Sequence, residues 1–376
     1  MSDSEDPQIL IDSILINDPL DKIITLIESG INVNAQDEYK CTALMLASEH
    51  EDEYAEAKMR ALINAGAEIN TQNSDGRTTL MIIAQFEQEH TLKKMKLLID
   101  EGADVNIIDM DGWTALMCAT RFGSTKRKGT QFCCKHAVEK VNILLEAGSD
   151  VNKQNEYGET ALMYVSRYGR SYAMGIMHLL LQADADVNKQ DMDGMTALMC
   201  VARFGDENVL DMVRALLDAG ADPNKQNRDG FTAMMLAATY GDENAESLVR
   251  LLVSYGVTLP KDKDLTKEVD SKFIAYMKGA QNWTPIHRAA DARDVDAIIK
   301  CLSEGMRHDT VVESSHEDMH TALSIAESTS YPTAQPVCQR CLEILRPSLV
   351  KSEVPINGSL FNGDGNGGGG GGEIQK

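Results

Sequence analysis

Across residues 8–256 the apolar positions come in paired bursts. A short burst of small side chains, such as Ala197, Leu198 and Ala202, is followed by a longer one, Val209, Met212, Val213, Leu216 and Leu217. The longer burst has the i, i+3, i+4, i+7, i+8 spacing of an amphipathic helix. The shorter one predicts a brief helix with a small, apolar inner face. Thr196 stands where a hydroxyl N-cap belongs, and Gly205 ends the element. Gly220 predicts a left-handed close to the second helix, and Asp193-Gly194 marks a tight turn between units. One unit, 193–224, therefore reads as helix, turn, helix and hairpin-like finger.

This unit is copied along the chain. Its opening threonine recurs at Thr42, Thr78, Thr114, Thr160, Thr196 and Thr232, at spacings of 36, 36, 46, 36 and 36 residues, with weaker copies at Thr284 and Thr321. Self-similarity at such a period predicts a solenoid, in which each unit buries its apolar face only against its neighbours.

The motifs GADVN at 102–106, SDVN at 149–152, ADVN at 185–188 and ADPN at 221–224, with TALM at 42–45, 114–117, 160–163 and 196–199, resemble the ankyrin repeat. The resemblance implies an all-α fold: an ankyrin-type helix-turn-helix solenoid with short β-hairpin-like fingers. It also implies a protein-binding surface on the concave groove and the fingers. Two departures stand out. The Pro and His of the family's TPLH are here Ala and Met, so Met45, Met81, Met117, Met163, Met199 and Met235 are expected to stack as an apolar ladder in the core. The period is 36 rather than 33, with Asp206-Glu207-Asn208 as the extra residues between the helices. In this longer TALM form the chain is similar to arrays found in giant DNA viruses and protists.

In order along the chain, residues 1–7 are expected to be disordered and 8–256 to form the main array of about seven repeats, the first a degenerate cap. Lys40 replaces the turn glycine of later units, which predicts a looser first finger. Repeat four carries ten added residues around Ser124 to His136, with Lys126, Arg127, Lys128, Lys135 and His136 as a basic patch. It reads either as a tolerated loop or as a functional one, a docking loop for an acidic partner or a short sorting or modification site. Asp184 stands where Gly148 and Gly220 close neighbouring helices, so a left-handed turn there is expected to cost about 1 kcal/mol. Residues 257–280 read as a linker with one helix, 281–347 as a divergent C-terminal ankyrin-like pair, and 348–376 as a disordered glycine-rich tail.

Composition narrows the function. The net charge of −22 argues against nucleic acid and anionic membrane as partners. No apolar run reaches the ~20 residues of a spanning helix. Cys118 and Cys200 fall at equivalent core positions, and free thiols there suit a reducing compartment, cytosol or nucleus. No catalytic set is recognisable, so a non-enzyme without cofactor is expected. His316, His320, Cys338 and Cys341 lack the first half of a zinc finger and are not expected to bind metal.

The candidate partner-binding residues come from two patterns. Arg121, Arg167 and Arg203, each followed by an aromatic, recur at the end of the first helix, with Tyr240 as a last aromatic. Asp206 and Glu207 are nearby carboxylates for such an arginine. At the fingers, Met110 is a candidate, and Trp113, Tyr157, Met195 and Phe231 read as an exposed apolar stripe. Aromatics and arginine anchor interfaces. The expected function is a non-catalytic, monomeric scaffold for a partner protein; the alternative is a substrate-recognition adaptor of an enzyme complex such as a ubiquitin ligase.

Overall fold

The computed structural model describes residues 8–85, 90–121, 136–168, 172–205, 208–240 and 244–257, with the backbone of 312–313 and 319–320. The expected linker helix, the C-terminal pair and the tail otherwise lie outside the described residues. So does most of the basic insertion.

Fourteen helices in seven pairs fill the described array. They are α1 (Gln8–Leu15) with α2 (Leu20–Glu28), α3 (Ala43–Ser48) with α4 (Ala55–Asn64), α5 (Thr79–Gln85) with α6 (Thr91–Asp100), and α7 (Ala115–Thr120) with α8 (Ala137–Glu146). Then come α9 (Ala161–Tyr168) with α10 (Ala173–Gln182), α11 (Ala197–Phe204) with α12 (Val209–Asp218), and α13 (Ala233–Tyr240) with α14 (Ala245–Ser254). Odd-numbered helices pack side by side in one layer and even-numbered helices in a second, each touching the same layer of the neighbouring repeat. The short strands β1 (Val312–Glu313) and β2 (Met319–His320) pair antiparallel just before Thr321.

Local chemistry explains each helix. The hydroxyls of Thr42, Thr78, Thr114, Thr160, Thr196 and Thr232 accept from the backbone N–H three residues on, at 3.3–3.4 Å. Each threonine thus satisfies an orphan donor of the helix it opens. The six methionines of the TALM register are all buried, as are Val209, Met212, Val213, Leu216 and Leu217 on α12. Burial pushes the Cys118 thiol up to about 12 and the Cys200 thiol up to about 11.

The repeats are joined by side-chain amides. Asn34, Asn70, Asn106, Asn152 and Asn188 donate through Nδ2 to the carbonyls of Gly66, Gly102, Gly148, Asp184 and Gly220, at 2.9–3.3 Å. Their Oδ1 atoms accept from the N–H groups of Glu68, Asp104, Asp150, Asp186 and Asp222, at 2.7–2.9 Å. Gln72, Gln154 and Gln190 likewise reach the next repeat, at the carbonyls of Ile108, Gln190 and Gln226. Asparagine suits this work because one planar group both donates and accepts.

The fingers close by a second device. Asp37, Asn73, Asp109, Asn155, Asp191 and Asn227 each accept at Oδ1 from the N–H groups two and four residues on, at 2.8–3.1 Å. Successive finger tips then bond to one another: Ser74 N–H to Tyr39 O, Met110 to Asp75, Glu156 to Asp111, Met192 to Tyr157 and Arg228 to Asp193, at 2.8–3.0 Å. A Cβ on Gly194 would lie 2.9 Å from the Arg228 nitrogen, so this glycine serves both the turn and the close approach. The first finger departs from the looser turn expected of it. Lys40 adopts φ 58°, in the left-handed region of the later glycines, and the turn keeps its Lys40 N–H to Asp37 O bond at 3.0 Å. Asp37 holds the turn, so the loss of glycine does not open it.

A register of lysines that sequence reading did not single out lies inside the second helices. Lys58, Lys94 and Lys140 are buried at the position that Ile176, Met212 and Leu248 fill in later repeats. Lys94 Nζ donates to Ser48 O at 3.0 Å and to His50 O, and Lys140 Nζ to Ala84 O at 3.1 Å. These carbonyls end the first helix of the preceding repeat, where a cation is favoured. Burial pulls the Lys94 ammonium below the ordinary lysine value, against the attraction of Asp52 and Glu51.

Two substitutions test this account. Asp184 takes φ 59° where the equivalent glycines take 83–94°, so Asp184→Gly should raise stability by about 1 kcal/mol, read as a higher melting temperature. An unchanged melting temperature would show that aspartate bears no strain there. Lys94→Met, which fits the side chain found at 212, should strand the Ser48 and His50 carbonyls and lower stability by about 1–3 kcal/mol in urea titration. A neutral result would mean that another donor serves those carbonyls.

Candidate functional site

The odd-numbered helices α9, α11 and α13 end on an aromatic residue, Tyr168, Phe204 and Tyr240, and α7 is closed by Arg121. Because repeats five to seven share a 36-residue register, these ends fall side by side. Their side chains form one continuous stack. Arg121 lies 5.0 Å from the Trp113 ring centre, and Trp113 meets Tyr164 edge-on at 4.6 Å. Tyr164 contacts Tyr168 at 5.4 Å. Arg167 then bridges Tyr168 and Phe204 at 5.9 and 5.5 Å, and Arg203 bridges Phe204 and Tyr240 at 4.9 and 4.7 Å. Each such cation–ring contact contributes on the order of 0.5–1 kcal/mol at exposed positions. The three terminal rings remain open to solvent: Tyr168 is 51%, Phe204 43% and Tyr240 53% exposed.

The arginines differ in electrostatic surroundings. Arg167 is neutralised from within, through Glu159 at 2.7 Å and Asp191 at 3.3 Å. Both carboxylates belong to finger bases rather than to the loop that carries Asp206 and Glu207, which lies outside the described residues. Glu159 and Asp191 are nearly buried, and Arg167 is the cation that pairs with both. Arg77 has a similar role in the preceding finger, with Nε 3.5 Å from Asp109. Sequence reading takes Glu159 only as a finger residue flanking the turn glycine, not as the partner of Arg167, and does not single out Asp191 or Tyr164. Glu159 did carry a signal: its register, which also holds Cys41 and Arg77, is apolar at Trp113, Met195 and Phe231 and acidic only here.

The expected exposed stripe on the fingers is corrected by the structure. Trp113 and Met195 are buried, at 5% and 3% exposure, and Phe231 is half-buried against the core. They follow the turn glycine and point inward onto the helix layer. Tyr157 precedes its glycine, in the register of Asp111 and Asp193, and is exposed. The four residues thus never share a surface. The apolar side chains that do reach solvent at the tips are Met110, Tyr157 and Met192, with Tyr39 on the first finger. Each tip residue of this group sits beside a carboxylate or lysine: Asp111, Glu156, Asp193, and Glu38 with Lys40.

No group of three or more His, Cys, Asp or Glu side chains placed to hold a metal occurs among the described residues, and no helix among them is long and apolar enough to cross a membrane. The candidate zinc ligands lie outside the described side chains.

The two arginines should respond differently to truncation. Arg167→Met leaves Glu159 and Asp191 buried without a cation and should cost about 3 kcal/mol in urea unfolding. Arg203→Met, whose guanidinium has no carboxylate partner among the described residues, loses only its two ring contacts and should cost no more than about 1–2 kcal/mol. Equal losses would show that both arginines are structural.

Comparison with known proteins follows from this geometry. A family profile described as ankyrin repeats, in three copies, matches residues 53–127, 130–227, 170–267 and 206–306, together more than half the chain. No curated protein matches. Among solved structures, the chain is similar to an ankyrin repeat domain from Acinetobacter baumannii AYE, at 28% identity and a TM-score of 0.48, over 58% of this chain and all of that one. With threonine-capped helix pairs, left-handed helix closures and the profile all in one register, this chain belongs to the ankyrin repeat family.

Proposed function

We propose that the chain is a non-catalytic scaffold that holds a partner protein on the arginine–aromatic ladder, with the finger tips Met110, Tyr157 and Met192 as a second line of contact. Ankyrin repeats generally mediate protein–protein interaction and are typically not catalytic. The observation that carries the reading is the row of three solvent-exposed rings, Tyr168, Phe204 and Tyr240, held in place by arginines between them. Exposed aromatics supply large contact area, and arginine and aromatic residues dominate interface energetics. Rings already fixed by intramolecular stacking lose little freedom on binding, which favours affinity. Nothing in the core requires these three rings to face solvent.

The remaining features fit the same picture. Carboxylates at the tips, Asp75, Asp111, Glu156, Asp193 and Asp229, oppose a phosphate backbone, as does the overall charge of −22. Free Cys41, Cys118 and Cys200 suit a reducing compartment, the cytosol or nucleus, and a monomer presents the whole ladder to its partner.

The test is affinity capture with the full-length chain. Tyr168→Ser with Phe204→Ser and Tyr240→Ser should leave the helical circular-dichroism spectrum unchanged and remove the proteins retained by the parent. Lys96→Ser with His178→Ser, at exposed positions on the second-helix layer, should retain them. Retention by the ladder variant, or equal loss by the control variant, would overturn the assignment.

A further inference from the structure

Repeats five and six seat an arginine in the same way but supply it differently. Around Arg167 the array provides two carboxylates, Glu159 and Asp191. One repeat later the equivalent positions are Met195 and Asn227. Arg203 therefore keeps the aromatic seat, between Phe204 and Tyr240, without either counter-charge. It is exposed and makes no ion pair or hydrogen bond with another described residue. It also borders a depression whose wall includes Val209, Leu248, Phe204, Tyr240 and Asn244. The depression thus sets one cation beside two aromatic rings and a few aliphatic side chains, a mixed surface that can orient a ligand.

We propose that Arg203 seats a carboxylate from the partner protein, an Asp or Glu side chain whose apolar neighbour rests in the depression against Phe204 and Tyr240. The assignment deepens the docking reading above and rests on it. Repeat five shows the chemistry: the same guanidinium, one rung earlier, takes carboxylates on two nitrogens. The planar fork of arginine matches a carboxylate with charge-assisted bonds. Rings on two sides hold the group in place while its N–H donors stay available. The surrounding charge restricts the segment further. Asp193 and Asp229 stand exposed on the adjoining finger tips, and the chain carries −22 overall. A strongly acidic partner is repelled at long range. The fitting ligand is a single acidic residue flanked by neutral or basic ones.

The experiment uses the full chain with isotope-labelled arginine and follows the Arg Nε–H resonances by NMR, assigned with Arg203→Gln and Arg167→Gln. The probes are N-acetyl-Tyr-Glu-amide and its Tyr-Gln twin, which differ only in the carboxylate. The Arg203 resonance should shift saturably with the Glu probe and bind the Gln twin roughly tenfold more weakly or worse. Arg167, already occupied, should not move, and Arg203→Gln should abolish the response. An equal response to the Gln twin, an equal shift at Arg167, or no shift at tens of millimolar probe would overturn the proposal. So would tighter binding of inorganic phosphate, which would make the seat a general anion site. If the three ring substitutions release the captured proteins while Arg203 ignores the Glu probe, the docking face stands and only the carboxylate assignment fails. If Arg203 binds the probe but the rings prove dispensable for capture, the docking reading fails instead.

Discussion

The structure depends on a side-chain amide that donates and accepts at once across the joint between repeats. Asn34, Asn70, Asn106, Asn152 and Asn188 each tie one repeat to the carbonyl and the amide that follow the next second helix. Those carbonyls belong to the left-handed residues just past each second helix, outside its hydrogen-bond ladder. Without the asparagines they would need water at the joint. The two-point bond also sets register: a one-residue slip would place either the donor or the acceptor against a wrong group. Burial of the TALM helices supplies the driving force, and the amides select the arrangement in which that burial occurs.

Register is also what turns isolated residues into a surface. An arginine followed by an aromatic has little meaning on one helix. Repeated at intervals of 46 and 36 residues and held by the same stitch, it becomes a stack of arginines and rings from Arg121 to Tyr240. The same logic places Lys58, Lys94 and Lys140 in file behind the first helices, with Lys94 and Lys140 serving the carbonyls of the repeat before. Two of the cation sets in the described array follow the repeat register. Lysines are buried against helix ends in its first half, and arginines are seated on rings at its edge in the second. The lysines satisfy the fold. Among the arginines, Arg167 is shared with the fold through Glu159 and Asp191, and Arg203 is left to the surface.

Departures from the repeat pattern are absorbed where another group already holds the geometry. Lys40 and Asp184 both occupy left-handed positions that glycine takes elsewhere. Asp37 accepts from two backbone N–H groups around Lys40, and Asn152 holds the Asp184 carbonyl at 3.0 Å. A strain of about 1 kcal/mol is tolerable where several hydrogen bonds fix the same turn.

The architecture was legible in the sequence because it is built from local signals: threonine before a small apolar helix, apolar residues at helical spacing, glycine at the closures. Even the methionine file and the left-handed turn at Asp184 could be read from one unit laid over its neighbours. The direction of a finger side chain could not. Trp113 follows its turn glycine and Tyr157 precedes its own, and the left-handed glycine reverses the chain between the two positions, so similarity of type concealed a difference of orientation. The charge state of the ladder was hidden for a related reason. Whether an arginine at the end of a helix is satisfied depends on a carboxylate set eight residues earlier and another twenty-four later, brought together only when adjacent repeats stack. Composition and period determined that this chain forms an array; the packing of one repeat on the next decided which of its cations and rings are left facing outward.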